Sequence, residues 1–286
     1  MGLGEKSLRP RIELKRGRNM KLATQDRSFF GESFKEKLTK VRELGFEGLE
    51  ISGNVLIDRF DEIKQAIHIT GVPISSICGG YRGWIGAFEA EERKQAISDI
   101  GEIFHYTAEI GATGVIVPAA FGLFSRKLPP FAPPRSMAED REVLLDSLNK
   151  LDLLAKETGS TLFLEPLNRY EDHMINRLEQ AATLITEGRF AHVKILADFF
   201  HMNMEEARIA DSIVAAGNLI GHVHLADSNR LLPGQGHIDF EAGFNALQKI
   251  RFTQFMSIEC EIVGKPEREY LKSAAFLHTS IKPGVV

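Results

Sequence analysis

Eight short apolar runs alternate along the chain with longer segments whose apolar residues have helical spacing. The runs are predicted as strands at 21–25, 48–52, 72–78, 114–118, 162–165, 194–198, 221–225 and 255–261. Regular alternation of strands and helices predicts a parallel sheet with right-handed crossovers. Eight such units in one chain match a closed barrel, whose usual size is about 250 residues. We therefore predict an α/β fold, a single (β/α)8 TIM barrel with eight helices.

An open, doubly wound sheet is the rival architecture. The first strand is not followed by the glycine pattern GxGxxG that such sheets use to bind dinucleotides. Polar residues end four consecutive strands, and these residues converge only in a closed or sharply curved sheet. Both observations favour the barrel.

The 286 residues are enough for one large domain. We assign residues 20–286 to the catalytic barrel and residues 1–19 to a flexible basic arm. The arm carries Lys6, Arg9, Arg11, Lys15, Arg16 and Arg18. It lacks the apolar segment of a secretory signal.

Composition excludes several classes of protein. The net charge of -4 argues against a broad nucleic-acid-binding surface. The two cysteines, Cys78 and Cys260, form neither a disulfide framework nor a cysteine zinc site. Apolar runs are too short to span a membrane. We expect a cytoplasmic protein without nucleic-acid or membrane partners.

Polar residues at strand ends are the candidate site. Glu165, Asp198, His224 and Glu259 lie at or near the ends of strands five to eight, so they are predicted to form a four-ligand metal site. Three carboxylates and one imidazole suit Mn²⁺, with Co²⁺ or Mg²⁺ as alternatives.

Neighbouring polar residues receive other interpretations. His222 shares a strand face with His224 and is interpreted as a hydrogen-bonded residue of the barrel interior. Glu261 is expected to be solvated or outside the ligand set, and Cys260 to be a small buried apolar residue. For Glu50, at the end of strand two, a structural role and a substrate contact remain equally open.

Four segments together resemble the ketose 3-epimerase family, of which D-tagatose 3-epimerase is the best-known type, within the xylose-isomerase-like barrels. They are EPLNRYE at 165–171, DFFHMNMEE at 198–206, HLADSNRLLPGQG at 224–236 and SIE at 257–259. Each segment alone is weakly specific, but their order and spacing are specific. The match covers the C-terminal half closely.

The resemblance implies an isomerase that inverts C3 of a ketose or keto-sugar acid through an enediolate. It makes Glu165, Asp198, His224 and Glu259 the ligands of one divalent cation, with Glu165 and Glu259 also the acid/base pair. It implies that His201 and Arg230 hold the carbonyl end of the substrate, and that Glu171 contacts the substrate or His201. It further implies homodimers or homotetramers.

Three alternative functions remain open. An aldose-ketose or hydroxypyruvate isomerase would use the same barrel and carboxylates. An endonuclease for damaged DNA would need more histidine ligands and a basic groove. A non-catalytic metal-binding or sugar-binding barrel is disfavoured by the intact acid/base pair.

The proline-rich loop at 119–136 is a candidate lid, because its four prolines exclude a regular helix. On a barrel, the loop after strand four lies at the catalytic face. Its cations, Arg126, Lys127 and Arg135, are interpreted either as solvated charges or as a grip for a substrate carboxylate.

Overall fold

The computed structural model describes residues 20–125 and 132–281. The arm at 1–19 lies outside the described residues, as do residues 126–131 of the proline-rich loop and residues 282–286. Among the described residues, no helix is both long enough and apolar enough to cross a membrane.

Eight parallel strands close into a barrel in chain order, which confirms the predicted TIM barrel. The strands are β1 Lys21–Gln25, β2 Gly48–Ile51, β3 Ile74–Cys78, β4 Val115–Pro118, β5 Leu162–Glu165, β6 Val193–Asp198, β7 Ile220–Leu225 and β8 Phe255–Ile258. The ring closes where β1 pairs with β8, with Leu22 opposite Met256.

Ten α-helices are described, rather than the predicted eight. They are α1 Phe34–Glu43, α2 Gly53–Asp58, α3 Phe60–Thr70, α4 Ala90–Ile110, α5 Met137–Thr158, α6 Leu178–Gly188, α7 Phe199–Glu205, α8 Ile209–Ala216, α9 Phe240–Lys249 and α10 Pro266–Ser280. The two extra helices arise because the segments after β2 and after β6 each divide into two.

Local capping explains where the helices begin. The sequence predicts a capping box from Ser33 and Glu36 and a helix cap at Asp239, and the structure has both. Ser33 and Glu36 form the capping box of α1, and Asp239 caps α9 by accepting a hydrogen bond from the N–H of Ala242. Asn203 and Glu206 have the spacing of a helix cap and predict the start of the sixth helix there, but this prediction is wrong, because Asn203 lies inside α7. Asp198 caps α7 instead, by accepting the N–H of His201 at 2.9 Å.

The apolar pattern after β5 predicts a helix from about Met174 to Glu187, but α6 begins at Leu178, four residues later. The carboxylate of Asp172 accepts the N–H groups of His173, Met174 and Ile175, which holds this stretch as a turn. Strand β8 ends at Ile258, so Glu259 lies just beyond it.

The main core lies between the strands and the surrounding helices. A smaller buried cluster of Ile116, Phe163 and Leu196 fills the barrel interior. Residues two positions further along these strands face the same way, towards the C-terminal mouth. This alternation brings Glu165 and Asp198 above an apolar floor.

Candidate metal centre and active site

The four predicted ligands meet at the C-terminal mouth of the barrel. Their ligand atoms all lie within 4.8 Å of one another. Nδ1 of His224 lies 3.1 Å from Oε2 of Glu259, 3.5 Å from Oε1 of Glu165 and 3.7 Å from Oδ2 of Asp198. Strand register contributes directly, because Asp198 pairs with His224 across β6 and β7.

The chemistry of this cluster fits a divalent cation. Oε1 of Glu165 is buried and has no hydrogen-bond partner among the described residues. Burial raises the pKa of Glu165, and it raises the pKa of Asp198 to about 7. The protein alone therefore does little to stabilise the negative charge of these two carboxylates. A cation between them would supply the missing positive charge.

Glu259 differs from these two carboxylates. Burial raises the pKa of Glu259, but the charge of His224 and the hydrogen bond to His224 lower it by more, to about 2. Gln25 also donates to Oε1 of Glu259 at 2.8 Å. The two members of the predicted acid/base pair thus occupy unlike environments.

Glu50, whose role the sequence left open, orients His224. Its Oε1 lies 3.0 Å from Nε2 of His224, and both side chains are fully buried. Because Nε2 faces Glu50, Nδ1 of His224 faces the three other carboxylates and would offer its lone pair to a cation bound between them. Part of the signal was in the sequence, because Glu50 is the one charged residue of the strand GLEI, next to its last residue Ile51, as Glu165 is the one charged residue of LFLE.

The Glu50 carboxylate is the centre of a buried hydrogen-bond network. It also accepts from Ser76 Oγ at 2.6 Å and from Gln25 Nε2 at 3.1 Å, and it lies 3.0 Å from Nε2 of His222. His222 lies in the barrel interior, as predicted, and stacks on Phe163 with ring centroids 5.3 Å apart. These contacts hold the buried side chains of Glu50 and His222 in place beneath the cluster.

The three predicted substrate-binding residues lie beside the cluster. Arg230 Nη1 donates to Oε1 of Glu171 at 2.8 Å, and Oε2 of Glu171 lies 3.9 Å from Nε2 of His201. Asn168, which sequence reasoning missed, donates its backbone N–H to Nδ1 of His201 at 3.1 Å. Burial lowers the pKa of His201, so the ring is neutral and its Nε2 carries the proton.

Arg230 has an unusual backbone for a non-glycine residue, with φ of 56°. Its N–H donates to the carbonyl of Asp227 at 2.8 Å, and its own carbonyl accepts from Glu261 at 2.9 Å. Its guanidinium lies over the ring of Phe200, 4.7 Å from the centroid. Such local strain is retained where the surroundings fix a functional geometry.

The hypothesis that Arg135 binds a substrate carboxylate is wrong. Its guanidinium donates to Asp140 at 2.9 Å and to the carbonyls of Gly86 and Ala87, and it stacks on Phe88. Arg126 and Lys127 lie outside the described residues. Cys260 is buried and Glu261 is exposed, as predicted.

Comparison with known proteins identifies the family. A profile of the xylose isomerase-like TIM barrel family matches residues 38–280. The chain belongs to this family. The match spans most of the barrel, so the predicted resemblance is confirmed.

Two relatives in this family are named epimerases. A 3-dehydro-D-guloside 4-epimerase from Escherichia coli (strain K12) is 43% identical over 261 residues, which span 91% of this chain and 100% of that protein. A D-psicose 3-epimerase from Enterocloster bolteae is 32% identical over 222 residues, or 77% of this chain and 74% of that one. The prediction of an isomerase, and specifically a sugar epimerase of this family, is confirmed.

Solved structures agree. The apo crystal structure of 3-keto-D-glucoside 4-epimerase from Escherichia coli superposes with a TM-score of 0.89 at 43% identity, covering 91% of this chain and 99% of that one. A D-psicose 3-epimerase with D-tagatose from Clostridium cellulolyticum H10 superposes with a TM-score of 0.80, covering 92% of this chain and 100% of that one. At 21% identity, the second likeness supports the fold alone.

Proposed function

We propose that this enzyme is a divalent-metal-dependent epimerase that inverts the carbon next to the ketone of a keto-sugar. The predicted reaction is inversion of C3 in a ketose or keto-sugar acid through an enediolate, with Glu165 and Glu259 as the acid/base pair. The proposal rests on one observation. The carboxylate of Glu165, at the end of β5, and that of Glu259, just after β8, reach the same cluster of ligand atoms. Carboxylates delivered from well-separated strands can act on opposite faces of one carbon.

The cation would be held by Glu165, Asp198, His224 and Glu259. Its chemistry is that of a Lewis acid, which polarises a carbonyl and makes the adjacent C–H bond more acidic. Three carboxylates and one imidazole favour Mn²⁺, with Co²⁺ or Mg²⁺ as alternatives. We expect one ion per chain, with activity lost in EDTA and restored by added Mn²⁺.

The surrounding residues have distinct tasks in this proposal. Neutral His201 and cationic Arg230 donate hydrogen bonds to the oxygens at the carbonyl end of the substrate. Glu171 aligns Arg230 through their 2.8 Å contact. One glutamate of the pair removes the proton from the reacting carbon, and the other returns a proton to the opposite face.

A second candidate reaction is inversion at C4 of a 3-keto-glycoside. It is favoured by the 43% identity to a 3-dehydro-D-guloside 4-epimerase over the full length of that protein. The chemistry is the same, because C4 is a neighbour of the C3 ketone. Only the position of the ketone relative to the rest of the sugar differs.

Solvent exchange tests both candidates. The Mn²⁺-loaded enzyme is incubated in D₂O with fructose, tagatose, psicose, a keto-hexonate, a keto-hexuronate and methyl 3-keto-glucoside, and the products are followed by NMR. Deuterium at C3 of a ketose supports the first candidate, and deuterium at C4 of the glycoside supports the second. Formation of an aldose would indicate an isomerase instead, and no exchange in any sugar would refute the proposal.

The oligomeric state remains a prediction. Family resemblance implies homodimers or homotetramers formed through the outer helices. Light scattering that reports only a monomer would contradict it.

A further inference from the structure

The active-site cavity has two unlike sides. It has a volume of about 140 Å³ and opens at the barrel mouth. The polar side is formed by Glu165, Glu171, His201, Arg230 and Glu259. The other side carries aromatic residues from the loops after β3 and β4, namely Tyr81, Trp84 and Phe121, which we call the aromatic shelf. The proposed reaction uses only the polar side.

The aromatic shelf is a continuous surface. Tyr81 and Trp84 meet edge to face with centroids 5.8 Å apart, and the rings of Trp84 and Phe121 lie 6.1 Å apart. Phe121 is 49% exposed, although it lines the active-site cavity. An exposed aromatic face beside polar catalytic groups is typical of a binding surface.

Backbone hydrogen bonds hold the shelf in position. Gly86 donates to the carbonyl of Ala119 at 2.7 Å, and Gly122 donates to the carbonyl of Glu171 at 2.8 Å. Phe121 therefore lies between two hydrogen-bonded positions, one of which joins its loop to the loop after β5 that carries Glu171. Backbone hydrogen bonds therefore connect the aromatic shelf to the loop that carries Glu171 on the polar side.

Tyr81 adds an unsatisfied donor to the shelf. Its hydroxyl is buried and has no hydrogen-bond partner among the described residues. Burial raises the pKa of this phenol well above its usual value, so the hydroxyl stays protonated. Buried hydroxyls are nearly always hydrogen-bonded, which makes a bound ligand the expected partner.

We propose that Trp84 and Phe121 bind the aglycone of a keto-glycoside, while the hydroxyl of Tyr81 donates to a substrate oxygen. This assignment rests on the proposed keto-sugar epimerase activity and names its substrate class. The aglycone is the group on the anomeric oxygen, and its required property is a flat apolar face. An aromatic ring and the C–H face of a second sugar ring both have it.

An acyclic ketose fits the shelf less well. Its carbonyl end would occupy the polar side, so only hydroxylated carbons would reach Trp84 and Phe121. Hydroxyl groups placed against an aromatic face lose hydrogen bonds to water without replacement. An apolar aglycone gains from the same contact, because it buries its own surface and that of Phe121.

The single tryptophan of the chain makes the shelf directly observable. Fluorescence of Trp84 is titrated with methyl and phenyl 3-keto-glucosides and with a 3-keto-disaccharide. We expect the phenyl glycoside or the disaccharide to bind about tenfold more tightly than the methyl glycoside, as one aromatic contact allows. The stronger of the two identifies the preferred aglycone.

Two variants complete the titration. Phe121→Ala should abolish the preference over the methyl glycoside, whereas Leu153→Ala, an equally exposed apolar residue of α5, should retain it. Equal binding of all three glycosides to the unmodified enzyme would overturn the proposal. So would an equal loss of affinity for all three in Phe121→Ala.

Activity is tested separately from occupancy. The fluorescence titration needs no turnover, whereas deuterium exchange in methyl 3-keto-glucoside depends on the proposed reaction alone. Exchange without aglycone preference would refute the shelf and leave the epimerase. In Tyr81→Phe we expect a roughly fivefold rise in KM with little change in kcat; an unchanged KM would refute the hydrogen bond.

Discussion

Nε2 of His224 lies 3.0 Å from Oε1 of Glu50, and this contact decides which nitrogen of the imidazole faces the candidate metal centre. Both side chains are fully buried, so water does not compete for either group. Burial raises the pKa of Glu50, but His224 and His222 lower it more, and the net result lies well below the usual value. Glu50 is therefore an anion that fixes the tautomer of a neighbouring ligand.

Replacement of Glu50 by Gln should weaken metal binding by about 10- to 100-fold, the usual effect of losing such a support. Calorimetric titration of the metal-free protein with Mn²⁺ measures this without turnover. Glu47→Gln, one residue before β2, is the matched control and should bind Mn²⁺ normally. Unchanged affinity in Glu50→Gln would show that Glu50 only fills the barrel interior.

Replacement of Glu165 or Glu259 by Gln should lower kcat by at least about 100-fold, because the amide keeps the shape but transfers no proton. Each variant should also lose solvent deuterium exchange at the reacting carbon. Glu261→Gln is the control, since this exposed residue lies only two positions beyond Glu259. If only one of the two variants is impaired, a single residue transfers both protons.

Asp227 supports the strained backbone of Arg230. Its carboxylate accepts the N–H groups of Ser228 at 2.8 Å, Gly234 at 2.9 Å and Ile238 at 3.1 Å, which closes the loop that carries Arg230. Asp227→Asn keeps one acceptor oxygen and loses the other. We expect KM to rise about tenfold with a smaller change in kcat, because substrate positioning is weakened.

Asp239→Asn is the control for this loop, because asparagine is an equally good helix cap. Its kinetics should match the unmodified enzyme. If Asp227→Asn instead lowers kcat and leaves KM normal, the substitution impairs proton transfer rather than substrate binding by Arg230.

Asp172 should make stability depend on pH. Burial raises its pKa to about 7, although three backbone N–H groups favour the carboxylate, and Asp140 raises it further. An unfolded aspartate has a pKa of about 3.9, so the folded chain binds the extra proton between about pH 4 and pH 7. The free energy of unfolding therefore falls as pH rises through this window.

Urea denaturation of the unmodified protein and Asp172→Asn between pH 5 and pH 8 measures this effect. Over that range, the unfolding free energy of the unmodified protein should fall by up to about 3 kcal/mol relative to that of Asp172→Asn. His173 lies close to both Asp172 and Asp140, and Arg135 pairs with Asp140. These neighbours are present in both proteins, so the comparison isolates the contribution of Asp172. Parallel stability curves would contradict the prediction.

The sequence by itself determined the barrel and the four residues that meet at its C-terminal mouth. Alternating strands and helices allow few topologies, and the twofold period of a strand places Glu165 above Phe163 and His224 above His222. Local rules also predicted the cap at Ser33 and the cap at Asp239. These features depend on neighbours a few residues apart, which is why a single chain reveals them.

Only the tertiary structure decided which groups Glu50 and Arg135 contact. Glu50 lies 174 positions from His224, and Arg135 lies 48 positions from Ala87, whose carbonyl it contacts. No local pattern distinguishes a carboxylate that meets an imidazole from one that meets solvent. Closure of the barrel brings such distant groups together. Burial then strengthens the electrostatic contacts between them, because little water is present to screen the charges.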